Sequence, residues 1–210
     1  MDRERPSAKF WDRIAKRYAR QPVADEAAYQ RKLEITRSYF EPHMDVLEFG
    51  CGTGSTAIVH APHVRRIDAI DISSGMVDIA RGKAKEAGLE NVHFEQATLE
   101  EVTAADESKD MVLGLSILHL LDDREQALGK VFALLKPGGR FISSTACLAD
   151  SHAWLKPLVF VGSRLGLLPS VWFFSRSELE QELIGQGFEL EQTWQPGKRK
   201  AVFIVARKPG

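Results

Sequence analysis

Short apolar runs alternate with helical patterns through the middle of the chain. The first run contains Val46, Leu47 and Phe49, and further runs follow at residues 64–71, 91–95, 111–115 and 140–145. Between them apolar residues recur at intervals of three and four, as in residues 74–87. Strands that alternate with helices form parallel sheets with helices on both faces. The pattern therefore predicts an α/β core over residues 45–145.

The last part of the chain predicts a helix and a hairpin. Residues 175–186 have a helical pattern, with Ser175 or Ser177 as N-cap and Glu178 in the first turn. Two apolar runs, 188–194 and 200–206, flank the turn residues Gln195-Pro196-Gly197, as in an antiparallel pair. Residues 175–210 thus complete a doubly wound sheet of seven strands, mainly parallel with an antiparallel final strand, in three α/β/α layers.

Two helical patterns precede the core. Residues 7–20 place Trp11, Ile14, Ala15 and Tyr18 at helical spacing, and residues 25–40 predict a second helix that ends before the first strand. Both lie outside the alternating unit. We therefore treat residues 1–42 as a separate helical region within a single domain spanning residues 1–210.

Residues 149–174 are unusually rich in large apolar side chains. Lys156, Arg164 and two prolines interrupt this segment, so it does not predict a transmembrane helix. Two interpretations remain. The segment is either an apolar cap that closes a substrate pocket, or a surface for a membrane or a partner subunit.

A glycine-rich loop follows the first strand. Gly50, Gly52 and Gly54 leave the backbone bare, so a small molecule can approach it, although such a loop can also merely connect a strand to a helix. A dinucleotide-binding loop reads G-x-G-x-x-G, but here Ser55 stands where its third glycine belongs. Glu48, just before the loop, suits the ammonium group of an amino acid better than a phosphate.

A second acid follows the next predicted strand. Asp71 lies 21 positions after Gly50, close to the spacing at which a strand-end carboxylate meets ribose hydroxyls in nucleotide-binding βαβ units. Ile72 beside it would supply an apolar wall for an adenine ring. The alternative is that Asp71 caps the next helix, although Ser73 can take that role.

The composition adds three limits. The chain has 28 Lys and Arg against 29 Asp and Glu, so no basic field indicates a nucleic-acid partner. The two cysteines, Cys51 and Cys147, have neither metal-site nor disulfide spacing. The charged N-terminus has no apolar signal region, so we expect a cytoplasmic protein.

Several of these segments resemble one family. The piece E-F-G-C-G-T-G closely resembles the first motif of the class I S-adenosylmethionine (SAM)-dependent methyltransferases, which have a Rossmann-like fold. The piece W-D-R-I-A-K-R-Y resembles the F-D-x-x-A-x-x-Y-D helix of the ubiquinone and menaquinone C-methyltransferases. D-M-V-L-G-L-S-I-L-H-L-L-D-D looks like their F-D-x-V-x-x-x-x-x-L-H-H-L motif, and L-L-K-P-G-G-R-F-I is another recurring feature.

The resemblance implies SAM as cofactor, S-adenosylhomocysteine as its product and no metal. It also implies residues 1–42 as a helical lid over the cofactor, with Trp11 and Tyr18 as lid residues. The alternative is that these side chains form an ordinary apolar face packed on the body. The residues expected to bind the cofactor are Glu48, Gly50, Cys51, Gly52, Gly54, Asp71, Ile72, Met76, Thr98, Leu99 and Ser116. Thr98 departs from the family, which has an aspartate in that position to bind the adenine amino group. Tyr18 and His119 are candidate bases, while His119 beside leucines is also typical of a packed residue.

The function implied is in-line SN2 transfer of a methyl group to a small acceptor. In this family the insertion after strand five shapes acceptor specificity, so we favour the cap for residues 149–174 and an apolar or aromatic acceptor. The alternatives are a non-catalytic cofactor- or partner-binding module and a nucleotide-dependent oxidoreductase. We expect a monomer or homodimer, with membrane-surface contact as a minor alternative.

Overall fold

The strands form one sheet in the order β3-β2-β1-β4-β5-β7-β6. The computed structural model describes residues 6–165 and 167–210, so the first five residues of the predicted lid and Gly166 of the predicted cap lie outside the described residues. The strands are β1 (Asp45–Phe49), β2 (Arg66–Asp71), β3 (Val92–Gln96), β4 (Lys109–Leu115), β5 (Leu135–Thr145), β6 (Glu189–Trp194) and β7 (Val202–Arg207).

The pairing of the strands confirms the predicted fold class. β1 runs parallel to β2, β2 to β3, and β4 to β5, whereas β7 is antiparallel to both β5 and β6. The helices flanking the strands are α1 (Pro6–Tyr18), α2 (Glu26–Arg37), α3 (Ser55–His60), α4 (Ser74–Glu86), α5 (Arg124–Leu134), α6 (Leu148–Ser151), α7 (Lys156–Arg164) and α8 (Arg176–Gly185). The fold is a seven-stranded, Rossmann-like α/β sheet.

The chain divides into two units, the first ending at Thr98 and the second beginning at Leu99. The first contains α1 to α4 and β1 to β3. Its core includes the fully buried Val46 and Ile67 of the two central strands and Ala80 of α4. Parallel strands covered on both faces become continuous apolar runs of this kind. β2 begins two residues later than predicted, because a 3-10 turn at Ala61–His63 precedes it.

The second unit contains β4 to β7 and α5 to α8. Here β5 begins at Leu135, not at Arg140 as predicted, because Leu135 already pairs with Lys109. The register then shifts, and Arg140 pairs with Met111. Within the intervening bulge, the Gly138 amide donates to the Lys208 carbonyl (2.9 Å), and the Lys208 amide donates to the Gly139 carbonyl (2.9 Å). The Lys-Pro-Gly-Gly segment therefore keeps strand-like hydrogen bonds where the sequence predicts only a turn.

Local capping sets the start of α8. The Ser175 side chain accepts from the Glu178 amide, and the Glu178 side chain accepts from the Ser175 amide, so Ser175 and not Ser177 is the N-cap of α8. A 3-10 turn at Ala153–Leu155 lies between α6 and α7. None of the described helices is both long enough and apolar enough to span a membrane.

Candidate functional site

The glycine loop after β1 has two glycines with different tasks. Gly54 has φ +73°, and a Cβ there would lie 2.7 Å from the Ala80 Cβ and from the Phe94 ring. Gly52 has φ +54°, but a Cβ there would meet nothing within 4 Å. Gly54 is therefore required for packing against α4 and β3. Gly52 needs a left-handed backbone and faces open space, so a ligand can approach it.

Asp71, at the end of β2, braces this loop. Its Oδ2 accepts a hydrogen bond from the Gly52 amide (2.8 Å), and its Oδ1 accepts one from the Ser73 amide (2.9 Å). Ser73 is the N-cap of α4, since its hydroxyl accepts from the Met76 amide at 3.1 Å. Burial raises the pKa of Asp71, while these backbone hydrogen bonds oppose the shift. Asp71 thus holds the loop in place and keeps further lone pairs for a ligand.

Glu48, the fourth residue of β1, is a buried acid with one oxygen that accepts no hydrogen bond from the described residues. Its side chain is buried, and its Oε2 has no hydrogen-bond partner among the described residues. Burial, with a contribution from the Asp71 charge, raises its pKa to about 8. A buried polar atom without a partner is rare and calls for an explanation. A cationic group bound beside Glu48 would provide both the missing hydrogen bond and the missing charge.

Helix α1 is attached to the start of α4 by Asp12. The Asp12 Oδ1 accepts from the Ser73 hydroxyl (2.6 Å) and from the Gly75 amide (2.9 Å). Ala15, one turn further along α1, is buried and lies close to Gly75, where an added Cβ would be 3.4 Å from its own. Asp12 and Ala15 are thus the residues that fix α1 on the first unit. Sequence reasoning quoted them within a motif without assigning them a role.

Tyr18 ends α1 within electrostatic reach of Asp71. Partial burial raises the pKa of the Tyr18 hydroxyl, and the Asp71 charge adds to the rise. The ring makes an edge contact with Trp11, with centroids 6.1 Å apart. Because this raised pKa keeps the phenol protonated at neutral pH, Tyr18 can donate a hydrogen bond there more readily than it can accept a proton.

Sequence reasoning missed two further side chains beside the loop. The Lys83 ammonium donates to the hydroxyls of Thr53 (3.0 Å) and Ser55 (3.1 Å), so it ties α4 to the loop. Burial raises the pKa of Tyr29 in α2, and the charge of Glu48 adds to this rise. A hydrogen bond with Thr56 opposes the shift. Lys83 lies one helical turn after Ala80, the residue that packs on Gly54. The helical spacing of these two residues is the signal that the sequence offers for Lys83.

The other expected cofactor residues of the first unit differ in exposure. The Cys51 thiol is buried, and burial raises its pKa well above its usual range, so it is no nucleophile at neutral pH. Its amide donates to the Ile70 carbonyl (3.0 Å). Met76 is buried, whereas Ile72 and Thr98 are half-buried. Gly50 opens the loop with φ +66°.

The remaining expected residues belong to the second unit. Leu99 is buried. Ser116, directly after β4, is exposed and has a left-handed backbone conformation with φ +60°. Its amide donates a hydrogen bond to the Ser144 carbonyl (2.7 Å), which helps to hold this conformation. His119 has a buried Nδ1 without a partner among the described residues, and burial lowers its pKa. Its imidazole is therefore neutral at pH 7.

Comparison with known proteins finds methyltransferases similar to the middle of this chain. A family model described as a methyltransferase domain matches residues 46–139. The chain contains a methyltransferase domain. The matched residues include the glycine loop, Asp71 and Ser116, which are the positions that sequence reasoning had grouped by motif.

Two relatives show how far this similarity extends. The uncharacterized methyltransferase YcgJ of Bacillus subtilis is 36% identical over 114 residues, which cover 54% of this chain and 43% of that protein. The ubiquinone/menaquinone biosynthesis C-methyltransferase UbiE of Vibrio campbellii is 31% identical over 147 residues, covering 67% of this chain and 55% of that protein. The chain therefore spans about half the length of these curated relatives.

Solved structures extend the similarity in fold over most of the chain. The crystal structure of YcgJ superposes with a TM-score of 0.71 at 22% identity and covers 86% of this chain and 99% of that one. A SAM-dependent methyltransferase from Thermotoga maritima gives a TM-score of 0.70 at 23% identity, with 96% and 99% covered. These likenesses show that the methyltransferase domain has the fold of SAM-dependent methyltransferases.

Proposed function

We propose that this protein is a SAM-dependent methyltransferase whose acceptor is a small, apolar or aromatic molecule. The observation that carries the proposal is the buried, unpartnered carboxylate oxygen of Glu48 beside a glycine loop with open space at Gly52. A methyl donor with an amino-acid end has the ammonium group that Glu48 lacks. When bound, SAM supplies a methyl group made electrophilic by its sulfonium.

The residues around the glycine loop fit this cofactor. Glu48 would accept from the ammonium group, and the bare backbone at Gly52 would lie against the ligand. Each carboxylate oxygen of Asp71 accepts one backbone hydrogen bond and has a further lone pair. With these lone pairs Asp71 would accept hydrogen bonds from the ribose hydroxyls. The half-buried Ile72 would border the adenine, and the buried Met76 and Leu99 are further members of the proposed set. Thr98 and Ser116 complete the proposed set, with Gly50, Cys51 and Gly54 shaping the loop.

Methyl transfer asks mainly for positioning, so the proteins that perform it need little covalent chemistry of their own. The acceptor must approach in line with the bond that breaks, in a site from which water is excluded. His119, which is neutral at pH 7, could take a proton from an acidic acceptor such as a phenol. Tyr18 would instead orient the acceptor by donating a hydrogen bond.

An acceptor of low polarity is proposed from the composition of residues 149–174. This segment follows β5, and its less exposed apolar side chains, Leu155, Val159 and Phe174, would form the apolar cap over the acceptor. The name of the Vibrio relative points to a quinone as one class of acceptor. We propose a cytoplasmic protein that acts without a metal, as a monomer or homodimer.

Calorimetry with SAM and with S-adenosylhomocysteine tests the cofactor. We expect micromolar binding of both, and a clear loss for Glu48→Gln. Glu95→Gln on β3 changes an exposed carboxylate in the same way and is the matched control. No binding heat with either compound, or equal binding by the two variants, would overturn the proposed cofactor site.

Turnover tests the enzyme itself. Transfer of labelled methyl groups from SAM should occur with hydrophobic phenols and quinols and not with short peptides. Cofactor binding without transfer to any acceptor on a broad panel would instead favour the non-catalytic module. A rise of NADH fluorescence on titration would favour an oxidoreductase.

A further inference from the structure

Helix α7 turns an apolar stripe toward solvent. The stripe consists of Trp154, in the 3-10 turn before the helix, followed by Leu158, Val161 and Leu165. These residues lie four, three and four positions apart, so they share one side of the helix. Their exposed fractions are 75%, 64%, 55% and 66%. A surface helix of a folded domain normally turns such a stripe inward. The buried residue of α7 is Gly162, which lies four residues after Leu158 and so borders the stripe.

The chain that follows the helix returns to it at Gly162. The amides of Leu167 and Leu168 both donate to the Gly162 carbonyl, at 2.9 and 3.2 Å. A Cβ on Gly162 would lie 2.6 Å from the Leu168 Cδ1, so the chain returns tightly against this side of α7. Further on, the Trp172 amide donates to the His119 carbonyl (2.8 Å). The returning chain thus packs at the edge of the stripe, at Gly162, and leaves the side chains of the stripe exposed.

Further apolar side chains widen the stripe into a surface. Phe160 is 59% exposed and Leu167 64%. We call the set formed by Trp154, Leu158, Phe160, Val161, Leu165 and Leu167 the α7 face. A group of adjacent large apolar side chains in water marks an interaction surface, in contrast to single exposed ones.

The charged residues within this segment have one sign. Residues 151–175 contain Lys156 and Arg164 and no Asp or Glu. Both cations are exposed, and the Arg164 guanidinium lies 4.9 Å from the centre of the Phe160 ring. No acidic side chain in the described part of the chain forms an ion pair with either of them. The α7 face therefore suits a partner that is both apolar and anionic.

We propose that the α7 face docks on the surface of an anionic lipid bilayer. Aliphatic side chains would enter the acyl boundary, Trp154 would lie at the headgroup level, and Lys156 and Arg164 would meet lipid phosphates. A second copy of the chain is a poorer partner, because a symmetric contact would bring the same cations together without acids to neutralise them. The nine-residue α7 is too short to cross a bilayer, so this contact is interfacial.

Vesicle sedimentation with the full chain tests the proposal. At low salt we expect binding to vesicles of phosphatidylcholine with 30% phosphatidylglycerol (roughly the anionic fraction that gives a strong surface potential) and weak binding to phosphatidylcholine alone. The double variant Leu158→Ser/Val161→Ser replaces two side chains that would be buried in the bilayer. It should lower the partition coefficient at least about tenfold. Ile184→Ser on α8 is the matched control, since Ile184 is 58% exposed and lies outside the α7 face.

The charge requirement is tested separately. Lys156→Gln should lower binding to the anionic vesicles about fivefold at low salt. Lys198→Gln changes an exposed lysine elsewhere in the second unit and should have little effect. Circular dichroism and thermal melts, which should match those of the wild type, verify that each variant is folded.

Three results would overturn the proposal. One is no sedimentation with the anionic vesicles at low salt, and another is an equal loss for Ile184→Ser and the double variant. The third is a stable dimer in sedimentation velocity that Leu158→Ser/Val161→Ser dissociates, since the α7 face would then bind a second copy. None of these measurements uses SAM, so the proposal stands or fails independently of the proposed function.

Discussion

The glycine loop with Glu48 and the α7 face depart from the rules of folding in opposite ways. Around the loop, the acid Glu48 is buried with no hydrogen-bond partner for its Oε2 among the described residues, and burial raises its pKa to about 8. On the α7 face, apolar side chains that would be stable in a core stand in water. Each arrangement costs free energy in the isolated chain, and each cost falls when the right molecule binds. The two departures therefore indicate two different missing partners, one cationic and one apolar with negative charge.

The largest effect expected concerns Glu48 and pH. Its folded pKa of about 8 exceeds the ordinary value of 4.5, so its contribution to stability is fully present below pH 4.5 and is lost as pH rises toward 8. Between those limits the free energy of unfolding should fall by up to about 4 kcal/mol from this group. In Glu48→Gln this part of the fall should vanish, which urea unfolding at pH 5 and pH 8 can measure.

The matched control for that experiment is Glu95→Gln, which should keep the wild-type pH dependence. Binding of S-adenosylhomocysteine would sharpen the comparison. If Glu48 ionises beside an ammonium group, affinity should rise as pH increases from 6 to 8, and a proton should be released. Calorimetry in two buffers of different ionisation heat detects that proton, and buffer-independent heats would contradict the assignment.

The next effect separates the two glycines of the loop. Gly54→Ala should destabilise the protein by about 3 kcal/mol, because it combines a left-handed backbone with contacts of 2.7 Å to Ala80 and Phe94. Gly52→Ala should cost only about 1 kcal/mol, since its Cβ would enter open space. Chemical denaturation measures both. Equal costs would show that packing at Gly54 is unimportant.

A smaller effect is expected for Asp71→Ala. Lost hydrogen bonds should weaken SAM binding by about 1–3 kcal/mol, as calorimetry can measure. The hydrogen bonds to Gly52 and Ser73 now add an expected loss of about 1 kcal/mol in stability. Asp78→Ala removes a well-exposed acid of α4 and should change neither quantity, and an unchanged Kd for Asp71→Ala would remove Asp71 from the site.

The smallest effect concerns stability at the α7 face. Leu158→Ser should change the free energy of unfolding by less than about 0.5 kcal/mol, because Leu158 is 64% exposed. Leu128→Ser on α5, where the side chain is fully buried, should cost about 3 kcal/mol or more. A comparable cost at both positions in thermal unfolding would mean that Leu158 is packed in solution and that the α7 face is not available to a partner.

Much of the fold could be predicted because local patterns and sheet geometry agree. The apolar runs and the glycine loop set the order of strands and helices, and the hairpin with Gln195-Pro196-Gly197 predicted the antiparallel β7. Boundaries were less predictable, as at β5, where hydrogen bonds to Lys208 extend the strand through a Pro-Gly-Gly segment. Such bonds join residues far apart in sequence, and no local pattern records them.

For the candidate site, the sequence determined which chemical groups stand at the strand ends: Glu48 before the loop, bare backbone at Gly52, and Asp71 after β2. Tertiary structure alone decided that Asp71 braces the loop, that Lys83 fastens α4 to the loop and that Asp12 fastens α1 to α4. It also decided that Glu48 Oε2 has no hydrogen-bond partner among the described residues. Likewise the spacing in α7 showed that its apolar residues share a side, while only the tertiary structure showed that this side is exposed. The reason is physical: periodicity fixes which residues lie together on one element, whereas burial and hydrogen bonding depend on what the rest of the chain brings against them.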